Sequence, residues 1–195
     1  EIMKEEYCDY NLTGYFQSEK YFSNVEDKIR ELFVFKRHIY ENIYTKYGDI
    51  FTLREEGKML VSVHVRRGDY LKHPDHHPTL PLSYYKNAMA DFSHKDTIFV
   101  VFSDDTEWAG QLTQFALPNQ EVRIISGNDA ATDMCFMSLC QAHIIANSTM
   151  SWWGAWLSKC PKMTMAPPKN KWFGPAYSNF NVEDLYTPSM VEVEF

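Results

Sequence analysis

The sequence predicts an α/β fold, a Rossmann-like parallel sheet with helices on both faces. Three observations point to it. Short runs at 59–66, 97–105, 121–126, 143–147 and 162–167 are apolar on both faces, helical patterns separate them, and the first, second and fourth stop abruptly on polar residues. Strands with two apolar faces that alternate with helices belong to a parallel sheet covered on both sides. No internal repeat or low-complexity linker breaks residues 58–168, which read as one Rossmann-type unit.

The elements follow in order. Residues 23–47, SNVEDKIRELFVFKRHIYENIYTKY, predict a helix: Ser23 or Asn24 caps it, Glu26 and Asp27 suit its first turn, and Ile29, Leu32, Phe33 and Phe35 continue an apolar pattern. The preceding NLTGYFQSEKYF reads as an aromatic-rich connector or a short strand. From Met59 the rhythm changes to strand 59–66, helix 83–92, strand 97–105, helix 107–115 and strand 121–126. Helix 132–142, strand 143–147, helix 149–157 and strand 162–167 complete the unit. Residues 1–57 are expected to be a connecting segment with a packing helix.

Composition narrows the class. At 195 residues and 45% hydrophobic the chain can bury one good core. No apolar run approaches the ~20 residues of a membrane span. A net charge of -7 argues against a nucleic-acid partner, which needs a broad basic face. Cys8, Cys135, Cys140 and Cys160 form no C-x-x-C pair, and Cys135 and Cys140 fall in an apolar helical stretch as buried thiols. That suits a reducing compartment. The chain opens on Glu1 rather than Met, so a preceding N-terminal part is expected.

Ligands of open parallel sheets bind beyond the carboxyl ends of the strands, which gives the stretch MLVSVHVRRGDYLKH its meaning. Alternation puts Val61, Val63 and Val65 on one face and Ser62, His64 and Arg66 on the other. His64 and Arg66 thus emerge side by side at the strand end, where a guanidinium offers a planar fork to phosphate oxygens. Arg67 points the other way, towards a carboxylate such as Asp104 or Asp105. A structural reading, salt-bridged around a loop, suits Arg67 better than Arg66, because a strand-end cation on the histidine's face needs an anion.

In HIIANSTMSWWGAWL a buried strand runs into Ser148, Thr149 and Ser151 at the head of an apolar helix. Ordinary capping explains most such hydroxyl pairs, yet free N–H groups and the dipole make this place an anion site too. Trp152 and Trp153 read as core packing. Asp133, at the start of helix 132–142, is favoured there by the dipole alone. Facing the cleft, its carboxylate could also accept from N1–H and the 2-amino group of guanine, a pair adenine lacks. SDD (103–105) reads as a turn and as partners for the arginines, since neighbouring strand residues point apart. HPDHHP (73–78) has metal-ligand residue types without metal-site spacing, and is expected to be a flexible loop rimming the site.

HVRRGDY (64–70) matches an H-x-R-R-x-D motif of fucosyltransferases. With GYFQSEKYF (14–22), FSDDTEW (102–108), DMCFMSLCQAHIIANSTMSWWGAWL (133–157) and WFGP (172–175), the chain closely resembles the α-1,2-fucosyltransferases of glycosyltransferase family 11. The resemblance covers nearly the whole chain. It implies the C-terminal half of a GT-B-type glycosyltransferase, with residues 58–195 as a GDP-fucose-binding domain plus a tail, and no metal. His64 and Arg66 are then implied to contact the nucleotide, Arg66 on the β-phosphate, Asp133 to read the guanine, and Ser148, Thr149 and Ser151 to hold the phosphate end. Asp69 is the motif's nearest candidate for a base, or an anchor for an arginine. The G-G-L-G-N-Q-type segment usual in the N-terminal half of these enzymes is absent from this chain.

The implied reaction is inverting transfer of L-fucose from GDP-fucose to the 2-hydroxyl of a terminal β-galactoside, so the implied partners are the donor and a galactoside acceptor glycan. A bacterial cytoplasmic enzyme making surface polysaccharide, with peripheral membrane association, is the expected setting; a Golgi lumenal form cut from its anchor is the alternative. The rival readings are a fucosyltransferase of α-1,6 or O-linked specificity and a non-catalytic nucleotide-binding module.

Overall fold

The computed structural model describes residue 11, residues 17–159 and residues 163–195. Cys8, Cys160 and the first part of GYFQSEKYF lie outside the described residues. Six strands, β1 (Met59–Val65), β2 (Thr97–Ser103), β3 (Gln120–Ile125), β4 (Ala142–Ile144), β5 (Thr164–Ala166) and β6 (Met190–Glu192), form one sheet in the order β3-β2-β1-β4-β5-β6. Every pairing is parallel. The fold class expected from the sequence is the one found.

The central strands are apolar on both sides because both sides are covered. Val61, Val63 and Val65 pack under α3 (Leu82–Ala90), whose Tyr84, Tyr85, Ala88 and Met89 are buried. On the opposite face Leu60, Ile98, Val100 and Phe102 meet α2 (Arg37–Glu55) and α5 (Ala130–Leu139). A third cluster joins Trp152 and Trp156 of α6 (Thr149–Trp156) to Phe22 and Trp172, so the tryptophan run is packing, as expected for Trp152. Trp153 is partly buried against it.

The structure differs from the expected elements in four places. The helix expected over 23–47 is broken into α1 (Glu26–Leu32) and α2. Phe33 and Lys36 leave helical geometry because consecutive bulky residues take different partners: the Phe33 ring stacks on Trp153 at 5.2 Å and Phe35 meets Tyr40 at 6.3 Å. Helix α2 then runs past Tyr47, which is only a kink (φ -127°, ψ 25°), and ends before Gly57, at φ +104°. Helix 107–115 is a single α-turn, α4 (Thr106–Ala109), that tightens into a 3-10 segment Gly110–Phe115. Strand β6 was not expected; it is short, lies at the sheet edge and bonds only to β5. The 73–78 loop is not loose but tied down: Gly174 and Ala176 donate to the carbonyls of His76 and Asp75 at 2.9 and 2.8 Å.

The order of strands positions everything that follows. From β1 the chain winds outward through β2 to β3, then crosses back to the far side of β1 and winds through β4 to β6. The direction reverses between β1 and β4, and the crevice outside their carboxyl ends is where such sheets bind ligands.

Candidate functional site

Two of the sequence-predicted groups emerge at that reversal. The loop after β1 carries Arg66, Arg67 and Asp69; the residues after β4 are Asn147 and the head of α6. Asp104, at the end of β2, organises the first loop. Its Oδ2 lies 2.8 Å from Arg66 Nη1, and its Oδ1 accepts from the Arg67 backbone N–H at 2.9 Å. Arg66 Nη2 reaches Asp69 Oδ1 at 2.6 Å. The close approach explains Gly68: a Cβ there would meet Asp104 Oδ2 at 2.6 Å. Arg67 turns away, donates to Asp105 at 3.0 Å and lies 4.3 Å from the Trp108 ring centre, the structural role expected of it.

Tyr70 spans the crevice. Its ring centre lies 5.5 Å from the Arg66 guanidinium and stacks on His77 at 4.8 Å, while its hydroxyl donates to the Asn147 carbonyl at 2.9 Å. Burial raises the Tyr70 pKa to about 12, with the neighbouring Arg66 working against the rise, so the phenol stays a donor.

At the head of α6, Ser148 is the N-cap residue in extended geometry, yet its side chain makes no capping hydrogen bond. A helix start without its side-chain cap keeps N–H groups available to an anion. Ser151 is engaged inward: its hydroxyl donates to the carbonyls of Ala146 and Ser148, both at 3.1 Å. The Thr149 hydroxyl donates to Gln17 Oε1 at 3.3 Å.

Four buried polar atoms around the crevice have no hydrogen-bond partner among the described residues: His64 Nδ1, His77 Nδ1, Asn147 Oδ1 and Gln17 Nε2. Leaving a buried polar atom unpaired costs about 1–3 kcal/mol, and a ligand's polar groups would supply the missing partners. Burial, and then the charge of Arg66, lower the His64 pKa to about 4. The imidazole is therefore neutral near neutrality and can offer one donor and one acceptor. Asn147 is also a clamp, its amide donating to the carbonyls of Pro78 and Trp172, both at 3.0 Å.

Asp133 stands apart from this group, on the first turn of α5 and on the sheet face covered by α2 and α5. Its Oδ1 accepts from Asn128 Nδ2 at 2.9 Å, and burial raises its pKa against the effect of that bond. Asn128 is fixed in turn by α2: Lys46 Nζ and the Tyr47 hydroxyl donate to its Oδ1 at 2.9 and 3.2 Å. Gly127, at φ +73°, allows the turn that presents Asn128. Sequence reasoning missed Gln17, Tyr70, Asn147 and Asn128 as site residues. Three of them stood inside quoted motifs, which was the available signal; Asn128 had none.

Among the described residues no group of three His, Cys, Asp or Glu side chains is placed to hold a metal ion, and no helix is long and apolar enough to cross a membrane. Cys135 and Cys140 are free buried thiols, burial pushing Cys135 up to about 12.

A doubly wound parallel sheet with unpaired polar groups at its reversal defines the class of α/β domains that take ligands at the switch point. The chain belongs to glycosyl transferase family 11, whose family description matches residues 1–189. It is similar to an O-antigen biosynthesis glycosyltransferase of Escherichia coli, 34% identical over 88% of this chain and 57% of the relative. An Escherichia coli alpha-1,2-colitosyltransferase is 35% identical over 82% of this chain and 55% of its own length. The human galactoside alpha-(1,2)-fucosyltransferase 1 is 28% identical over 80% and 46%. The chain thus spans about half the length of the curated relatives it matches. A solved structure of POFUT1 in complex with GDP shares the fold at a TM-score of 0.53, with 12% identity, over 71% of this chain and 50% of that one.

Proposed function

We propose that this chain is the donor-binding part of an α-1,2-fucosyltransferase that transfers L-fucose from GDP-fucose, with inversion, to the 2-hydroxyl of a terminal β-galactoside. The observation that carries the reading is the placement of Arg66 and the uncapped head of α6 on either side of the sheet's reversal, with Tyr70 between them. The β-phosphate lies between the Arg66 fork and the N–H groups at Ser148–Ser151, with the Ser148 and Thr149 hydroxyls at its edge. His64 presents its unpaired nitrogen to the nucleotide, and Asp133 accepts from the guanine edge.

In the reaction the acceptor's 2-hydroxyl oxygen bonds to the anomeric carbon from the face opposite GDP, and its proton passes to Asp69. The carbon–oxygen bond to the β-phosphate breaks, and the negative charge left on GDP falls between Arg66 and the helix head. Donors fixed in advance of that charge are the main catalytic term. One relative is named a colitosyltransferase, so a second reading keeps the same site and linkage and changes the sugar to colitose.

Calorimetric titration with GDP and ADP tests the reading. Expected are GDP binding, a clear preference over ADP, and loss of both phosphate-bearing ligands in Arg66→Ala. Equal binding of the two nucleotides removes the guanine assignment to Asp133. Undiminished GDP binding by Arg66→Ala removes the phosphate site, and no binding of either nucleotide leaves a non-catalytic module.

A further inference from the structure

Beside the proposed donor groups lie two adjoining cavities, of about 420 and 480 Å³, that share Phe173 and Phe180 in their walls. The first begins at Gln17, whose Oε1 accepts a hydrogen bond from the Thr149 hydroxyl at the head of α6. Gln17 is 9% exposed, and its buried Nε2 has no hydrogen-bond partner among the described residues. The second cavity is floored by Tyr177 and Phe180, stacked at 4.6 Å, with Phe173 edge-on to both at 5.8 and 5.5 Å. Phe180 is 49% exposed, a large aromatic surface turned to solvent.

We infer that this pair of cavities is the cradle for the acceptor glycan, with a galactoside lying on the Phe173–Phe180 rings and a sugar hydroxyl accepting from Gln17 Nε2. The inference rests on the proposed function, whose acceptor it places. Three features carry it. The walls combine exposed ring faces with amide side chains, those of Gln17, Asn179 and Asn181. A β-galactoside matches such a surface: one face of its ring is a run of C–H bonds, while its hydroxyls point outward in the ring plane. The cradle also meets the donor site directly, through the Gln17–Thr149 contact and through His77, which stacks on Tyr70 and lies 5.7 Å from Tyr177. Finally, the wall is rigid. The loop after β5 is bound to the 73–78 loop at Gly174, where a Cβ would fall 2.4 Å from the Asp75 carbonyl oxygen, and Asn147 ties both loops to β4. A rigid aromatic platform loses little entropy when a sugar settles on it.

The test is titration of the chain with lactose by saturation-transfer NMR, with GDP affinity measured on the same samples and maltose as the non-acceptor sugar. Lactose is expected to bind, maltose not. Phe180→Ala is expected to weaken lactose about tenfold, the loss of one aromatic contact, while GDP affinity stays as in the parent. Gln17→Leu tests the amide and is expected to weaken lactose as well. Phe180 is half exposed, so its removal leaves the core untouched. No lactose binding by the parent overturns the cradle, as does undiminished binding by Phe180→Ala or equal binding of maltose. Lactose binding without GDP binding overturns the donor reading and leaves the cradle as a glycan site.

Discussion

Arg66 has two carboxylate partners of unequal standing. Asp104 is 26% exposed and also holds the Arg67 backbone, whereas Asp69 is 58% exposed and holds only the guanidinium edge. An exposed ion pair contributes about 0–1 kcal/mol, far less than a charge-assisted bidentate contact with phosphate. On the proposed reading, a diphosphate at Arg66 is expected to displace Asp69 and to leave Asp104 in place to orient the fork. Under that proposal Asp69 has two successive tasks: to steady Arg66 before the donor arrives and to serve as the base once released. Asp69→Asn separates them. GDP affinity is expected to hold or rise, because a competing anion is gone, while turnover of the complete transferase drops by about 10²–10⁴, the usual worth of a general base. Weaker GDP binding in calorimetry would give Asp69 a purely structural role, and unchanged turnover would remove it as base.

Helix α2 does more than cover the sheet. Lys46 and Tyr47 fix Asn128, which in turn fixes Asp133, so a helix from the segment expected to be connecting and packing aims the carboxylate proposed to read guanine. The Asn128 hydrogen bond lowers the Asp133 pKa against the rise caused by burial. Removing it in Asn128→Ala raises that pKa further, and a protonated carboxyl cannot accept both guanine donors. The preference for GDP over ADP is accordingly expected to fade at a higher pH in the variant than in the parent, by calorimetry at a series of falling pH values. A preference that fades at the same pH in both would detach Asn128 from recognition. The contrast between His64 and Asn128 explains what was legible in the sequence. Strands β1 and β2 announce themselves through long apolar runs, and His64, Arg66 and Ser148 stand where such runs stop. Asn128 is fixed by Lys46 and Tyr47, 82 and 81 positions away, and no local pattern carries those pairings. The same holds for Gln17, visible in a motif but meaningful only beside Thr149. The break at Phe33 was hidden too, because Phe33 and Phe35 fit a helical stripe in sequence and are drawn to different rings in space.

For the whole molecule, the buried histidines couple the fold to pH. His143 sits wholly buried in β4 between β1 and β5, its Nδ1 2.8 Å from Ser62 Oγ and its Nε2 unpaired among the described residues. Burial alone lowers its pKa to about 3, and that of His64 falls to about 4 with help from Arg66 and opposition from Asp104. Each is neutral in the fold and charged below its ordinary value of 6.5 once unfolded. The unfolded chain therefore binds more protons through the window from 6.5 down to 3 or 4, and stability rises with pH across it. The stabilisation is fully present above 6.5 and is lost as acid is added. Asp133, with a raised pKa, works in the opposite sense over its own lower range, and Asp105, lowered by the Trp108 N–H and by Arg67, adds to the acid loss. Between pH 5.5 and 4.5 each buried histidine contributes a slope of about 1.4 kcal/mol per pH unit. Replacing His143 by Gln keeps a polar partner for Ser62 and deletes one titrating group, so urea unfolding at a series of pH values is expected to lose about one proton from its slope. A slope unchanged by the substitution would mean that His143 meets water or a charge in the folded protein, and that the sheet centre is not the dry interior on which the neutrality of His64 next to Arg66 also depends.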